Sequence, residues 1–269
     1  MFTGFPRDYK PVPLKWLPTK GKNYPENTEI YVTPMSIRER RLLEGVSSAE
    51  YYRRLLDGVQ IRGGQLEREN LAFADAQFID LARRIYTYEA DRKLWVNNYP
   101  CYHCGKTNVK ASFKFDELEL EDLPEDVFGF TKTLIDPETE KEQEVFYPGK
   151  EYTFADGLKV YVSPLTVGEY IDLATRYIAN KDDEEDSEAY IAQFAYLIKQ
   201  VDGKEFKDIE AQREWLFNYI SNLYKPADEE TLDSIEKDTT SILKPLKAKC
   251  PDCGKEVEVY VSPWMRFQQ

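Results

Sequence analysis

The stretch Cys101–Lys106 reads CYHCGK, and the stretch Cys250–Lys255 reads CPDCGK. These two C-x-x-C-G-K motifs contain all four cysteines of the 269-residue chain. Two thiolates at this spacing can bind one tetrahedral metal ion when the chain turns between them. The glycine after the second cysteine permits the left-handed backbone that directs amide groups towards sulfur. Each motif therefore has the pattern of a zinc knuckle.

The sequence around both motifs alternates between polar and apolar residues. Glu256–Val261 alternates after the second motif, and Val109–Phe115 alternates after the first. Alternation with a period of two is typical of a half-buried β-strand. Each motif is therefore predicted to lie at the turn of a zinc-ribbon-like β-hairpin.

The simplest arrangement joins both motifs around a single structural Zn²⁺. Closing a loop of about 150 residues costs on the order of 4–5 kcal/mol. Structural zinc contributes roughly 10–16 kcal/mol in small peptides, so the ion can hold two distant hairpins together. The predicted metal ligands are Cys101, Cys104, Cys250 and Cys253.

The sequence leaves three alternative roles open for the cysteines. They are a thioredoxin-like redox pair, a disulfide, and knuckles that bind no metal. A redox C-x-x-C pair normally opens a helix after a strand, whereas both pairs here lie between predicted strands. His103 is the single histidine of the chain, and we expect it to be a solvated knuckle residue rather than a ligand.

The two halves of the chain also resemble each other away from the cysteines. Ile30–Glu39 reads IYVTPMSIRE, and Val160–Glu169 reads VYVSPLTVGE, at an offset of 130. In both copies a short β segment ends at proline, which cannot continue a strand ladder. A Ser or Thr then precedes a Glu by three residues, which is the capping-box pattern of a helix start. A weaker third copy, Val259–Trp264, follows the second knuckle.

The sequence predicts an α+β fold built from two tandem repeats. Each repeat has a short β segment, a helical cluster and a C-x-x-C hairpin. Helices are predicted over residues 47–58 and 75–88 in the first half, and over 187–201, 208–224 and 229–242 in the second. The predicted divisions are an extended N-terminal arm over 1–26, a first repeat over 27–116, a hairpin arm over 117–150, and a second repeat over 151–269.

Three segments outside the repeats have their own predictions. The proline-rich stretch 11–18 is expected to lie extended over a neighbouring surface. The hairpin arm has aromatic and branched residues on both faces, which fits packing against a partner or against its own domain. The acidic run 181–186 is expected to be solvated, because it lacks the spacing of an EF-hand calcium site.

Charge and motif content exclude several classes of function. The chain has 36 basic and 49 acidic residues, a net charge of −13, with +3 in residues 1–100 and −16 in the remainder. So acidic a protein repels phosphate, which disfavours nucleic acid as the main partner. We find no membrane-spanning stretch, secretory signal, P-loop, dinucleotide fingerprint or hydrolase motif. The sequence therefore predicts neither an enzyme nor a small-molecule substrate.

The segment Leu17–Tyr24 reads LPTKGKNY and resembles the L-P-S-x-G-x-x-Y opening of a phage protein family. These are the small baseplate hub and hub-assembly proteins of T-even-like contractile-tailed bacteriophages. In that family a strand and proline, a capped helix, a helical segment and a C-x-x-C-G hairpin follow in this order. The resemblance covers residues 17–116 and recurs more weakly over 151–261. The chain departs from the family pattern by carrying two copies and an acidic C-terminal half.

The resemblance implies a non-enzymatic structural or assembly role in the tail baseplate of a virion, assembled in the host cytoplasm. It implies other baseplate and tail proteins as partners, in a symmetric multi-copy assembly. One alternative is a zinc-ribbon regulatory protein that binds polymerase or nucleic acid, against which the net charge argues. A third hypothesis is a soluble enzyme or redox protein that uses the C-x-x-C pairs.

Overall fold

A computed structural model describes residues 8–43, 45–87, 93–114, 123–135, 142–178, 186–240 and 244–260. Strands and helices are mixed along the chain, as the α+β prediction requires. The strands are β1 (Lys10–Val12), β2 (Glu29–Val32), β3 (Val59–Arg62), β4 (Lys93–Pro100), β5 (Thr107–Lys114), β6 (Phe130–Ile135), β7 (Glu142–Tyr147), β8 (Lys150–Thr153), β9 (Lys159–Val162), β10 (Ile198–Val201), β11 (Leu246–Lys249) and β12 (Glu256–Val259).

The helices account for most of the remaining described residues. The α-helices are α1 (Ile37–Leu43), α2 (Ser48–Leu56), α3 (Phe73–Thr87), α4 (Val167–Leu173), α5 (Asp186–Leu197), α6 (Ile209–Ser221) and α7 (Pro226–Thr239). Short 3₁₀ helices cover Leu14–Trp16, Arg68–Asn70 and Glu125–Phe128, and Ala174–Ile178 continues α4 as a π-helix. None of the described helices is both long and apolar enough to cross a membrane.

The first antiparallel sheet has the order β1-β2-β3. Ile30 and Val32 of β2 are buried, and α2 and α3 supply further buried residues to the same core. Part of the segment predicted as an extended N-terminal arm, 1–26, forms the edge strand β1 of the first sheet. Pro11 pairs with Tyr31 in this strand. An edge strand tolerates proline because one side of its ladder is unpaired.

The segment Leu17–Tyr24 is a loop anchored on a buried carboxylate of α3. Asp75 is fully buried and accepts hydrogen bonds from the Thr19 N–H at 3.0 Å and from the Thr19 hydroxyl at 2.6 Å. The Tyr24 hydroxyl donates to the same carboxylate at 2.6 Å. Burial raises the pKa of Asp75 to about 6, although these donors act to lower it. The motif therefore fixes a loop to the core.

The second antiparallel sheet has the order β10-β9-β8. The helix predicted over 187–201 ends earlier than expected, because its last part forms β10 and pairs with β9. Ile198 and Val201 are buried in the second core. A short apolar run does not distinguish a buried helix from a buried strand by periodicity alone, which explains the error.

The helix starts predicted in the two strand–proline–helix segments are confirmed. The Ser36 side chain accepts from the Glu39 N–H, and the Glu39 carboxylate accepts from the Ser36 N–H. Thr166 and Glu169 form the same reciprocal capping box at the start of α4. Each box satisfies backbone donors that a helix start leaves unpaired.

Helix α4 and the residues just before it contribute to both the first core and the second core. The Phe73 N–H donates to the Leu165 carbonyl at 2.7 Å, and the Val167 N–H donates to the Leu71 carbonyl at 2.8 Å. The Phe73 and Tyr170 rings stack at 3.7 Å between centroids. Val167 is fully buried at this contact.

The hairpin β6–β7 corresponds to the predicted hairpin arm. At its base the Tyr147 ring stacks on Tyr161 of β9 at 4.4 Å between centroids, and Phe130 lies beside Tyr147 at 5.3 Å. Phe146 is exposed. The base of the arm thus packs on its own chain.

The acidic run over 181–186 lies outside the described residues apart from Asp186, and the end of the weaker third copy, from Val261, also lies outside them.

Candidate metal centre

The two C-x-x-C motifs lie at the turns of two hairpins, as predicted. Strands β4 and β5 pair antiparallel around the first motif, and β11 and β12 pair around the second. The hairpins pack together and on α3 through a shared core that includes Leu81, Val109, Val257 and Val259. Two turns that are distant in the sequence are therefore held side by side.

The two turns have the same backbone hydrogen bonds. In the first, the Cys101 N–H donates to the Lys106 carbonyl at 2.8 Å, and the Gly105 N–H donates to the Cys101 carbonyl at 2.7 Å. The corresponding bonds of Cys250 and Gly254 in the second turn are both 2.9 Å long. Gly105 and Gly254 have φ values of 72° and 69°, in the left-handed region that glycine adopts without strain.

All four cysteines converge on one point. Their sulfur atoms lie within 4.8 Å of one another. The Cys101 Sγ lies 3.7 Å from the Cys253 Sγ, and the Cys104 Sγ lies 3.8 Å from the Cys250 Sγ. The short contacts thus run between the hairpins. Cys101 and Cys250 are buried, whereas Cys104 and Cys253 are exposed.

The sulfur positions fit a tetrahedral metal ion. A metal–sulfur bond of about 2.3 Å places the sulfurs of a tetrahedron roughly 3.8 Å apart, close to the two shortest distances here. A disulfide requires about 2.05 Å between sulfurs, and all four thiols are free. The four cysteines lie close together and could bind a metal ion.

The surroundings of the cluster shift the pKa values of its thiols in different directions. The backbone N–H groups of Cys253 and Asp252 lower the pKa of the Cys250 thiol to about 7, against the effect of burial. The Lys106 N–H acts to lower the pKa of Cys104, but local desolvation and the other three thiols raise it to about 11. Four sulfurs this close cannot all lose their protons unless a cation lies between them. A bound metal ion would favour the thiolate form of all four.

Polar groups next to the cysteine cluster also connect the two hairpins. The Lys106 ammonium lies 3.0 Å from an Asp252 carboxylate oxygen, and the Asn108 amide donates to the same carboxylate. The charge of Lys106 is therefore used in a contact with the opposite hairpin. The His103 Nε2 lies 3.1 Å from the Glu256 carbonyl oxygen, outside the group of sulfur ligands.

Comparison with known proteins gives no assignment. No protein-family model matches the chain, and no curated protein or solved structure matches it significantly. The structure brings together all four predicted ligands, and the Asp75 anchor is one polar cluster that the sequence did not indicate. Asp75 lies at the start of a predicted helix, but its partners Thr19 and Tyr24 lie more than 50 residues away.

Proposed function

We propose that this chain is a non-enzymatic scaffold protein whose two halves are joined by one structural Zn²⁺ ion, and that it serves in the baseplate of a contractile phage tail. The observation that carries the proposal is the convergence of Cys101 and Cys104 with Cys250 and Cys253. Its role is structural or in assembly, in the hub region or at its periphery. Its partners are other baseplate and tail proteins.

Zinc is the metal that this donor set suits best. Four thiolates in a tetrahedral arrangement select zinc or an iron–sulfur centre, and paired knuckles at hairpin turns are typical of structural zinc. A Cys₄ site has no free coordination position, so it does not activate water. The ion then stabilises the contact between the hairpins and has no catalytic part.

The proposed duplication is supported by equivalent contacts in the two sheets. Val32 pairs with Val59 in the first sheet, and Val162 pairs with Ile198 in the second. The sheet orders β1-β2-β3 and β10-β9-β8 also correspond. In each half, one helix supplies a buried carboxylate to the loop that follows the first strand of the sheet. Asp75 of α3 accepts a hydrogen bond from the Thr19 N–H, and Asp228 of α7 accepts one from the Ala155 N–H at 2.7 Å.

On this equivalence, α3 corresponds to α7 and α6 is the additional helix of the second half. In the second half, helix α6 packs on α5. In the first half the counterpart of α5 is α2, and helix α4 contacts it. An added helix in the second half accounts for most of the larger spacing between the two cysteine motifs.

The baseplate assignment is supported by the resemblance of Leu17–Tyr24 to the phage family. Leu17 is buried, and Thr19 and Tyr24 bind Asp75. Gly21 has a φ of 74° and lies against Leu14. These residue types are what the loop needs to fold, so the motif is expected in proteins that share this module.

Two measurements test the proposal together. Purified contractile tails of the source phage should retain the chain through gradient sedimentation, and metal analysis should find one zinc ion per chain. Recovery only in the soluble lysate contradicts the baseplate role. Salt-dependent binding to DNA would instead favour the regulatory alternative.

A further inference from the structure

Helix α1 exposes one face that combines aliphatic and basic side chains. Ile37, Arg38, Arg41 and Leu42 are all exposed, and they form two adjacent i,i+4 pairs, Ile37 with Arg41 and Arg38 with Leu42. Ile37 is 69% exposed and Leu42 is 46% exposed. We call these four residues the α1 face.

The proposed counterpart of α1 is covered. Val167 of α4, which aligns with Ile37, is fully buried against the first core, and Ile171, which aligns with Arg41, is 8% exposed. Gly168 lies close to Glu69, whereas Arg38 occupies the aligned position in α1. The α1 face therefore keeps an aliphatic residue at Ile37 but carries two positive charges where α4 has Gly168 and Ile171. An acidic surface with an apolar contact would complement it.

The arginines of the α1 face have no acidic partner in the part of the chain that the structure describes. Other arginines of the first half do pair, since Arg54 contacts Glu50 and Arg83 contacts Glu39. Arg38 and Arg41 form no such contact within these residues.

An acidic surface of matching spacing lies on α7. Glu229, Asp233 and Glu236 are exposed at positions i, i+4 and i+7, and none forms an ion pair with another described residue. Tyr190 of α5 lies beside them and is 42% exposed. Burial raises the pKa of Tyr190, and Glu236, Asp233 and Glu229 raise it further. We call these four residues the α7 face.

We propose that the α1 face of one copy of this chain docks on the α7 face of a second copy. Arg38 and Arg41 then meet the carboxylates, and Ile37 and Leu42 meet the Tyr190 ring. The net charges of +3 in residues 1–100 and −16 in the remainder favour the same orientation. Two different faces are used, so the contact is head-to-tail and repeats into a ring or a filament.

This inference rests on the proposed duplication for the comparison of α1 with α4, and on charge complementarity for the identity of the partner. Exposed ion pairs are individually weak and are screened by salt. We therefore expect a concentration-dependent association that is strongest at low ionic strength.

Sedimentation velocity of the purified, metal-loaded chain tests the contact. At about 0.05 M salt the mass should rise above 31.5 kDa with concentration, and at about 0.5 M salt the chain should be mainly monomeric. The variant R38E/R41E should be monomeric under both conditions. The control K15E/K207E replaces two exposed lysines that belong to neither face and changes the net charge equally, so it should associate like the natural chain.

A charge swap makes the test specific. The variant R38E/R41E/D233K/E236K keeps the natural net charge and should associate again, because both faces are reversed. A natural chain that stays monomeric at low salt overturns the proposal, and so does unchanged association of R38E/R41E or a swap that fails to restore association. Zinc content measured on the same samples tests the metal centre separately, since loss of zinc with intact association contradicts only the proposed function.

Discussion

Two clusters of polar side chains, the Asp75 anchor and the four cysteines, are each brought together from distant parts of the sequence, and they differ in what completes them. At Asp75 every contact is made by protein donors, since Thr19 and Tyr24 supply the hydrogen bonds to its carboxylate. At the cysteine cluster the sulfurs face one another, with Cys101 3.7 Å from Cys253. A buried polar group that the protein itself satisfies is structural, whereas four sulfurs around a common centre could hold a cation.

The largest expected effect is loss of the metal. In Cys250→Ser, or after chelation, the hairpins should separate and stability should fall by on the order of 5 kcal/mol or more. Zinc content and urea unfolding measure this. Lys106→Ala is the matched control, because Lys106 is exposed on the same hairpin pair and is not a ligand. Equal stability of the metal-free and metal-loaded chains would contradict the proposed stabilising role of the ion.

A smaller effect is expected at the Asp75 anchor. Because burial raises the pKa of Asp75 to about 6, the folded chain binds a proton between roughly pH 4 and pH 6 that the unfolded chain releases. The stability contributed by this group is therefore highest below about pH 4 and is lost as the pH rises to about 6, by on the order of 3 kcal/mol. Asp75→Asn should remove this slope.

Urea unfolding across that pH range measures the slope for both proteins. Metal release at low pH affects the natural chain and the variant alike, so the difference between them isolates Asp75. Asp228→Asn controls for the loss of a buried helix carboxylate in the other half. An identical slope in the natural chain and in Asp75→Asn would show that Asp75 does not titrate in this range.

Much of the cysteine cluster could be predicted from sequence because its signal is local. The spacing within Cys101–Lys106 and Cys250–Lys255 specifies two turns, and four sulfurs suit one ion. The Asp75 anchor could not be predicted, because its partners lie on a separate loop and carry no spacing signature. The strand β10 could not be predicted for a related reason, since its pairing with β9 overrides the apolar periodicity of α5.

The two knuckle glycines test whether the two turns of the metal centre are equivalent. Gly105 and Gly254 both have positive φ, and nothing lies within 4 Å of a Cβ built on either. Gly105→Ala and Gly254→Ala should therefore each cost only about 1 kcal/mol, through backbone strain without a clash. Thermal unfolding should show similar losses of stability in these two variants. A large loss in one variant alone would show that the two turns are not equivalent.

The smallest effect is expected at His103. The ring is exposed, and its Nε2 contacts the Glu256 carbonyl oxygen and not the sulfurs. His103→Gln should keep one zinc ion per chain and change stability by less than about 0.5 kcal/mol. Metal analysis with thermal unfolding checks both values. Loss of zinc in this variant would place the histidine among the ligands.

The most direct measurement is zinc-edge X-ray absorption on freshly reduced protein, with the metal content determined on the same sample. Our account predicts one zinc ion per chain with four sulfur neighbours at about 2.3 Å. A metal-free chain, or a zinc ion with nitrogen or oxygen in its inner shell, would contradict the joining of the two halves by Cys101, Cys104, Cys250 and Cys253.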